Sequence, residues 1–522
     1  MLERLEDRTV PTAVVGGISP TSGPIDGMTQ VAITGSGFTN AIGVSFGSSP
    51  AMYTIGSDTL ITAWSPAGSV GSVDVTVGTS GGSSSTSSAD QFTYTVDPTT
   101  TTLTANENPS TYGDSVILTA TVADAASGGI DSPTGTVKFV QGSTVLATES
   151  LSSGWASSQA TFTSSTLAVG DHDITAVYQG DSNFAGSSSA ALDMVVNPIM
   201  VTNVNDNGAG SLRAAITAAN AAGGNPEIDF QAGLSGTINL ASALPDFSAN
   251  IKLVGPGAGT ITVARDPNAA TTFRIFTVDA NTTCFIGGLG ITGGVADGTG
   301  ATDGGGVWNA GVLTLSADGL DNNVAKNVSY GGAIYNSRSG TLTVSSCQIH
   351  GNSADNEGGG IDNDGALSIT GDSSLTNNTA TVGAGIYNSG FGTAVIGGYT
   401  TIDENVAVQL GGGVANFGSF TMNGGRIDSN SVTGNANGQE GGGYYGEGTG
   451  ATATLTGVDL SSNSAGKGQG GGFYLKGSTS LSLSGCTIGY NTAATGNGGY
   501  YDSVATFTPT NCTITDTIVK GP

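Results

Sequence analysis

Two short signatures alternate along the C-terminal half of this 522-residue chain, and their spacing limits what it can fold into. The first is a glycine-led hexad. It reads GGGVWN from Gly304, GGAIYN from Gly331, GGGIDN from Gly358, GAGIYN from Gly383, GGGVAN from Gly411, GGGYYG from Gly441, GGGFYL from Gly470 and NGGYYD from Asn497, with starts 25 to 30 residues apart. The second, aliphatic-x-x-Asn-x-small, lies between hexads and places Asn323, Asn352, Asn378, Asn405, Asn430, Asn463 and Asn491. A fixed period in the twenties means stacked units, none able to bury its apolar face alone. The apolar residues alternate over short runs, as at Leu342/Val344, Leu367/Ile369 and Leu481/Leu483, which is the period of a strand. Glycine every few residues would cost a helix about 1 kcal/mol per site.

Each unit is therefore expected to hold roughly three short strands joined by Gly/Asn/Ser corners. Coiled up, such units form a parallel β-helix with rungs about 4.8 Å apart. The fourth hexad position (Val307, Ile334, Ile361, Ile386, Val414) is then expected to stack inward, with the preceding glycines making the corner. The repeated asparagines are expected to form a ladder at one turn, tolerating left-handed backbone and bonding to the rungs above and below.

Composition narrows the partners. The formal charge is −27, from 13 basic and 40 acidic residues. Nucleic acid is disfavoured as a partner because phosphate binding needs basic surface, as are anionic membranes and polyuronates for the same reason, so no nucleic-acid partner is expected. No apolar run is long enough to span a bilayer. Charge this sparse with 86 glycines could signal disorder, but the strand alternation argues against it. Cys284, Cys347, Cys486 and Cys512 have no C-x-x-C spacing. They read as buried thiols, although Cys486 and Cys512 occupy similar positions in consecutive units and could stack.

Taken in order, residues 1–13 begin MLERLEDRTVPT, without the apolar core of a signal peptide. The segment resembles the LEDR-type motif near the start of many large exported bacterial proteins. Residues 14–97 carry ISPTSGPIDGMTQVAITGSGF, then VSFG, the alternation Val73/Val75/Val77 and a closing FTY. Short strands at this spacing indicate a β-sandwich, and the module resembles an IPT/TIG domain, an Ig-like fold. Residues 98–197 contain TTTTLTANENPSTYGDSVILTATV, the hairpin GTVKFVQGSTVLAT and AVYQGDSNFAGSSS. That module resembles the bacterial Ig-like repeats of surface proteins.

Residues 198–522 open with a helix, for which Ser211 is the expected N-cap and Leu212, Ala215, Ile216 and Ala219 the buried face. Such a helix would cover the open first rung. GSLRAAITAAN resembles the SLREAI-type cap of bacterial β-helix surface proteins, with Gly210 and Ala214 where that motif has Cys and Glu. The resemblance extends to pectate-lyase-like and polymorphic-outer-membrane-protein-type repeats and implies a right-handed coil. The fold class expected is all-β: two Ig-like sandwiches followed by a right-handed parallel β-helix with a short capping helix.

The chemistry expected is sparse. Asp362, Asp364, Asp403 and Glu404 are candidate acids, but they sit in corners with no paired repeat in register, whereas a glycosidase needs two facing carboxyls. Lys326, Arg338, Arg426, Lys467 and Lys476 are scattered, and a uronate lyase needs cations gathered at its site. The IDNDG run from Ile361 faintly resembles a calcium loop but lacks the bidentate acid, so no metal or cofactor is expected. His172 and His350 have no ligating partner nearby in sequence. The fifth hexad position is aromatic six times in eight: Trp308, Tyr335, Tyr387, Tyr445, Tyr474 and Tyr501. These are the candidate glycan- or partner-binding residues. They face away from the core and either form an exposed stripe suited to sugar rings or stack on one another and lie under loops. The expected protein is extracellular or surface-attached and non-catalytic, presenting this face to a glycan or another surface protein. The alternative is a polysaccharide lyase or glycoside hydrolase on the same coil.

Overall fold

The computed structural model describes residues 12–125, 132–154, 157–298, 302–434, 438 and 440–522. The LEDR-type motif lies outside them. The chain divides into two compact units, the second made mainly of Asn197–Pro522.

In the first unit, two sandwiches each pair a four-stranded with a six-stranded sheet, and the second repeats the topology of the first strand for strand. The alternation Val31/Ile33 and Val75/Val77 turns one side of each strand inward, where these residues meet Phe46 and Phe92 at zero to 2% exposure. Ring edges close the packing, with Phe92 meeting Phe46 at 5.0 Å and Tyr94 at 5.1 Å.

The second unit is a parallel coil of four sheets. Sheet 1 has twelve strands, from Ile199–Val201 to Thr506–Thr510. Sheet 2 has eleven, from Gly236–Leu240 to Thr513–Ile514, and sheet 3 has ten, from Phe276–Val278 to Ile518–Lys520. Sheet 4 has six short strands, from Val295–Ala296 to Ser431–Val432. The expected three strands per turn therefore become four over the middle of the coil. One turn runs Val307–Asn309 in sheet 3, Val312–Ser316 in sheet 1, Gly319–Asp321 in sheet 2 and Val324–Ala325 in sheet 4.

The helix Leu212–Ala222 precedes most of the coil and packs on Ile199–Val201 and Glu227–Phe230, the first strands of sheet 1. The Ser211 hydroxyl accepts from the Ala214 amide at 3.2 Å, and the four expected residues are buried.

The columns are those the repeat implies. The fourth hexad residues are fully buried above one another. The first seven hexads each begin with a glycine at φ between 58° and 68°, the left-handed backbone that turns the chain into sheet 3. This fixes the register of the last hexad: the left-handed glycine is Gly496, one residue before the expected start, so Tyr500 rather than Tyr501 pairs with Tyr474.

The asparagine ladder runs unbroken. Each Asn Oδ1 from Asn352 to Asn491 accepts the backbone N–H and side-chain amide of the Asn one rung back, at 2.9–3.1 Å. Asn491 ends it by donating both to Asp516 at 2.8 Å. The ladder residues are not themselves left-handed, as the sequence had suggested. That conformation falls on the residue before, as at Asn322, Asn377, Glu404, Ser429, Ser462 and Tyr490. The ladder amides are thereby free to point along the coil axis.

A second ladder was present in the hexads and went unread. Their sixth residues, Asn309, Asn336, Asn363, Asn388 and Asn416, are fully buried and joined amide to amide at 2.7–2.8 Å. The last of them donates to the Tyr444 hydroxyl at 3.0 Å.

Candidate functional site

The outer face of sheet 3 carries the expected aromatic column, and its two halves differ. Strand alternation puts the fifth hexad residue on the opposite side from the buried fourth. In the C-terminal half the rings stack: Tyr445 on Tyr474 at 5.8 Å and 8°, and Tyr474 on Tyr500 at 5.2 Å and 5°. Phe417 fills the gap beside Ala415, 5.2 Å from Tyr387 and 5.9 Å from Tyr445. Val382 and Leu410 pack over this group, and Tyr445 and Tyr474 are buried. These rings shield the sheet and offer no open stripe. Tyr501 is half-buried against Phe507 at 5.8 Å.

In the N-terminal half Trp308, Tyr335 and Tyr387 remain half-exposed, and acids gather around them. Asp362 occupies the column between Tyr335 and Tyr387 and is 2% exposed, with Oδ2 unbonded. The Tyr335 hydroxyl donates to Asp364 at 2.7 Å, and the Tyr387 hydroxyl donates to Glu357. Asp303, from the preceding turn, accepts the Tyr330 amide at 3.1 Å. Burial, then the charges of Glu357, Asp364 and Asp303, hold the Asp362 carboxyl well above the usual carboxylate range. Burial likewise raises Glu357 and Asp303. Asp362, expected in a corner, lies in the strand Ile361–Asn363. Carboxyls from separate turns do meet here, because Asp303 and Glu357 each stand just before a hexad glycine, a position that recurs on every turn but changes residue type.

Next to this cluster, Ala243, Asp246, Phe273, Arg274, Thr277, Asp279, Thr302 and Trp308 line a groove of about 440 Å³. The Arg274 guanidinium sits 5.6 Å from the centre of the Trp308 ring. Burial lowers the Arg274 pKa, while Asp303 and Asp246 favour its charge. One groove thus offers an indole face, a bidentate cation and two carboxylates.

The other candidate acids and bases are engaged elsewhere. Arg426 holds Asp403 at 2.7 Å on sheet 2. Lys476 holds Glu447 at 3.0 Å, and Arg338 lies 3.9 Å over Phe391. His350 meets Thr376 at 3.1 Å, and His172 meets Gln141 at 3.2 Å. All four cysteines are free thiols, and three are buried. Among the described residues, Asp26, Asp97 and Asp124 form the one acidic set with ligand oxygens within 4.8 Å of one another. These three could supply part of the oxygen shell a hard cation requires. Nearly a hundred residues of chain separate them, so no sequence motif announces the set.

Buried carboxyls give the coil a pH dependence. Burial raises Asp318 to about 7, against the Leu289 and Ser316 amides that donate to it at 2.8 and 3.0 Å. Between the ordinary carboxylate range and about 7 the unfolded chain has lost this proton and the folded chain keeps it. Folding takes up protons there, and stability falls as pH rises through that window. Asp362, Asp303 and Glu357 act in the same direction. Thermal melts are expected to show a higher midpoint for the coil at pH 5 than at pH 8, with a shallower slope in Asp318→Asn. A midpoint that climbs with pH would contradict this assignment.

Comparison with known proteins covers the first unit. Residues 13–94 match the IPT/TIG domain model, and residues 103–197 match the bacterial Ig-like domain (group 3) model. The SLREAI-type resemblance is not among the matches. No curated protein matches the sequence. Solved structures with similar parts include the plexin A4 extracellular region (19% identity, 32% of this chain, 14% of that one, TM-score 0.16). The fibronectin(III)-like modules of Clostridium thermocellum CbhA share 16% identity over 36% of this chain and 94% of theirs, with TM-score 0.17. The Escherichia coli adhesin FdeC shares 17% identity over 34% of this chain and 62% of its own, with TM-score 0.17. The chain thus consists of an IPT/TIG domain, a bacterial Ig-like domain and a parallel β-helix of roughly 11 turns.

Proposed function

We propose that this is an extracellular surface protein whose β-helix binds a glycan, without cleaving it, in the groove around Trp308. An IPT/TIG and a bacterial Ig-like domain joined to a β-helix fit a surface or adhesion protein. The observation that carries the reading is Trp308 beside Arg274, Asp246 and Asp279 in a single groove. A sugar packs its C–H face on an indole, while carboxylates and a guanidinium take its hydroxyls in pairs. Tyr335 and Tyr387 continue the platform along the same face. Tyr445, Tyr474 and Tyr501 have a packing role in this reading.

A glycan array probed with the full chain, spanning neutral and acidic polysaccharides, tests it. Trp308→Ala is expected to weaken retention about 10- to 100-fold, the cost of removing a central aromatic anchor. An array with no retained glycan, or equal retention by the variant, would sink the proposal.

The convergence of Asp303, Glu357, Asp362 and Asp364 favours a second reading, a carbohydrate-active enzyme. Carboxyls gathered from different turns are what glycoside hydrolysis requires. The 2% exposure of Asp362 weighs against substrate contact. New reducing ends from a retained polysaccharide, lost in Asp362→Asn, would favour the enzyme.

A further inference from the structure

Sheet 1 presents a different surface. Over its last eight strands, from Val312–Ser316 to Thr506–Thr510, the inward residues are almost all buried and the outward ones half to fully exposed. Thr341–Ser345 reads TLTVS, Thr452–Thr456 TATLT, Ser480–Ser484 SLSLS and Thr506–Thr510 TFTPT. Nineteen of the twenty-three outward positions in these strands are Ser or Thr. The exceptions are Val312, Ala366, Val395 and Asn423, so none is charged. This holds in a chain of net charge −27 whose sheet 2 face carries Asp321, Asp403, Arg426 and Asp428.

Every pairing along these strands keeps one register, without a bulge. The hydroxyls therefore form a rectangular lattice. Its spacing is about 4.8 Å between rungs and about 6.7 Å between alternate residues of a strand. Both intervals are close to the two repeats on a prism face of hexagonal ice. Threonine is stiff at χ1, so much of the lattice is ordered before anything binds, and little entropy is lost on contact.

We propose that this face binds ice, with the hydroxyls joining its outer water layer and the threonine methyls seated between its oxygens. The chemistry argues against a polysaccharide here: over these rungs the face has no aromatic and one amide, whereas sugar-binding groups gather on sheet 3. The proposal does not depend on the Trp308 groove.

The test is partition of the full chain into a slowly growing ice hemisphere, with thermal hysteresis and inhibition of recrystallisation read in parallel. The wild type is expected in the ice fraction. Thr343→Lys/Thr421→Lys, with two charges in the central rank, is expected to lose all three effects while keeping the wild-type melting midpoint. Thr343→Val, which keeps the shape and a methyl, is expected to retain them, as is Thr487→Lys, which puts one such charge on sheet 2. Exclusion of the wild type from ice would overturn the proposal. So would equal losses in Thr343→Lys/Thr421→Lys and Thr487→Lys, or adsorption to crystalline cellulose or chitin without retention on ice.

Discussion

Asn378→Ala is expected to destabilise the β-helix by about 3–5 kcal/mol, since it strands several buried polar groups at once. Asn378 Oδ1 accepts both the backbone N–H and the side-chain amide of Asn352, each at 3.0 Å. Its own Nδ2 donates to the Ile349 carbonyl and to Asn405 Oδ1, both at 2.9 Å. Alanine leaves the Asn352 N–H and the Ile349 carbonyl without these partners, fully buried and out of reach of water. Each such orphan costs about 1–3 kcal/mol, and the emptied volume adds to it. Guanidinium unfolding of the full chain, followed by circular dichroism, measures the change. A loss under about 1 kcal/mol would mean that the ladder is decoration, held in place by the strands on either side.

Gly359→Ala is expected to cost about 2–4 kcal/mol for a different reason, the overpacking of backbone against backbone. A Cβ at Gly359 would lie 2.4 Å from the Thr379 carbonyl oxygen and 2.7 Å from that of Ala384, both on the next turn. Neither can swing aside, because each belongs to a hydrogen-bonded rung. Gly390→Ala is the internal control. Its Cβ would meet nothing closer than the Phe417 oxygen at 3.8 Å, and the change is expected to be nearly neutral. The same unfolding experiment compares the two. Equal midpoints would show that the middle glycines of the hexads are not there for close approach.

The sequence carried the coil far better than it carried the site. A column is a property of the period, so Val307, Ile334 and Ile361 could be placed inward and Asn323 to Asn491 aligned from spacing alone. The second ladder, from Asn309 to Asn416, had the same signal in the sixth hexad position and needed no structure to find. The last hexad slipped by one because NGGYYD resembles its predecessors, whereas the left-handed backbone at Gly496 sets the true register. What escaped was the position just before each hexad, whose residue type changes from turn to turn. Asp303 and Glu357 reach Asp362 from the position just before the hexad glycine, which holds Asp, Tyr, Glu, Val or Leu on successive turns. Val382 and Leu410, paired at the ends of their sheet 4 strands, pack against the C-terminal rings from that same position. Arg274 lies ahead of the first hexad, so the groove with Trp308 had no periodic sign. Periodicity finds a column readily when its residue type repeats, and misses one whose position repeats while its chemistry changes.

Distances between nitroxide labels along sheet 1 test the coil itself most directly. Thr314 is four rungs from Thr421, five from Thr454 and seven from Thr508, through one continuous register. Pulsed electron-spin measurements on labelled pairs are expected to give about 19, 24 and 34 Å, a straight line of about 4.8 Å per rung. Distances that spread broadly, or that fail to grow in proportion to the number of rungs, would contradict the coil.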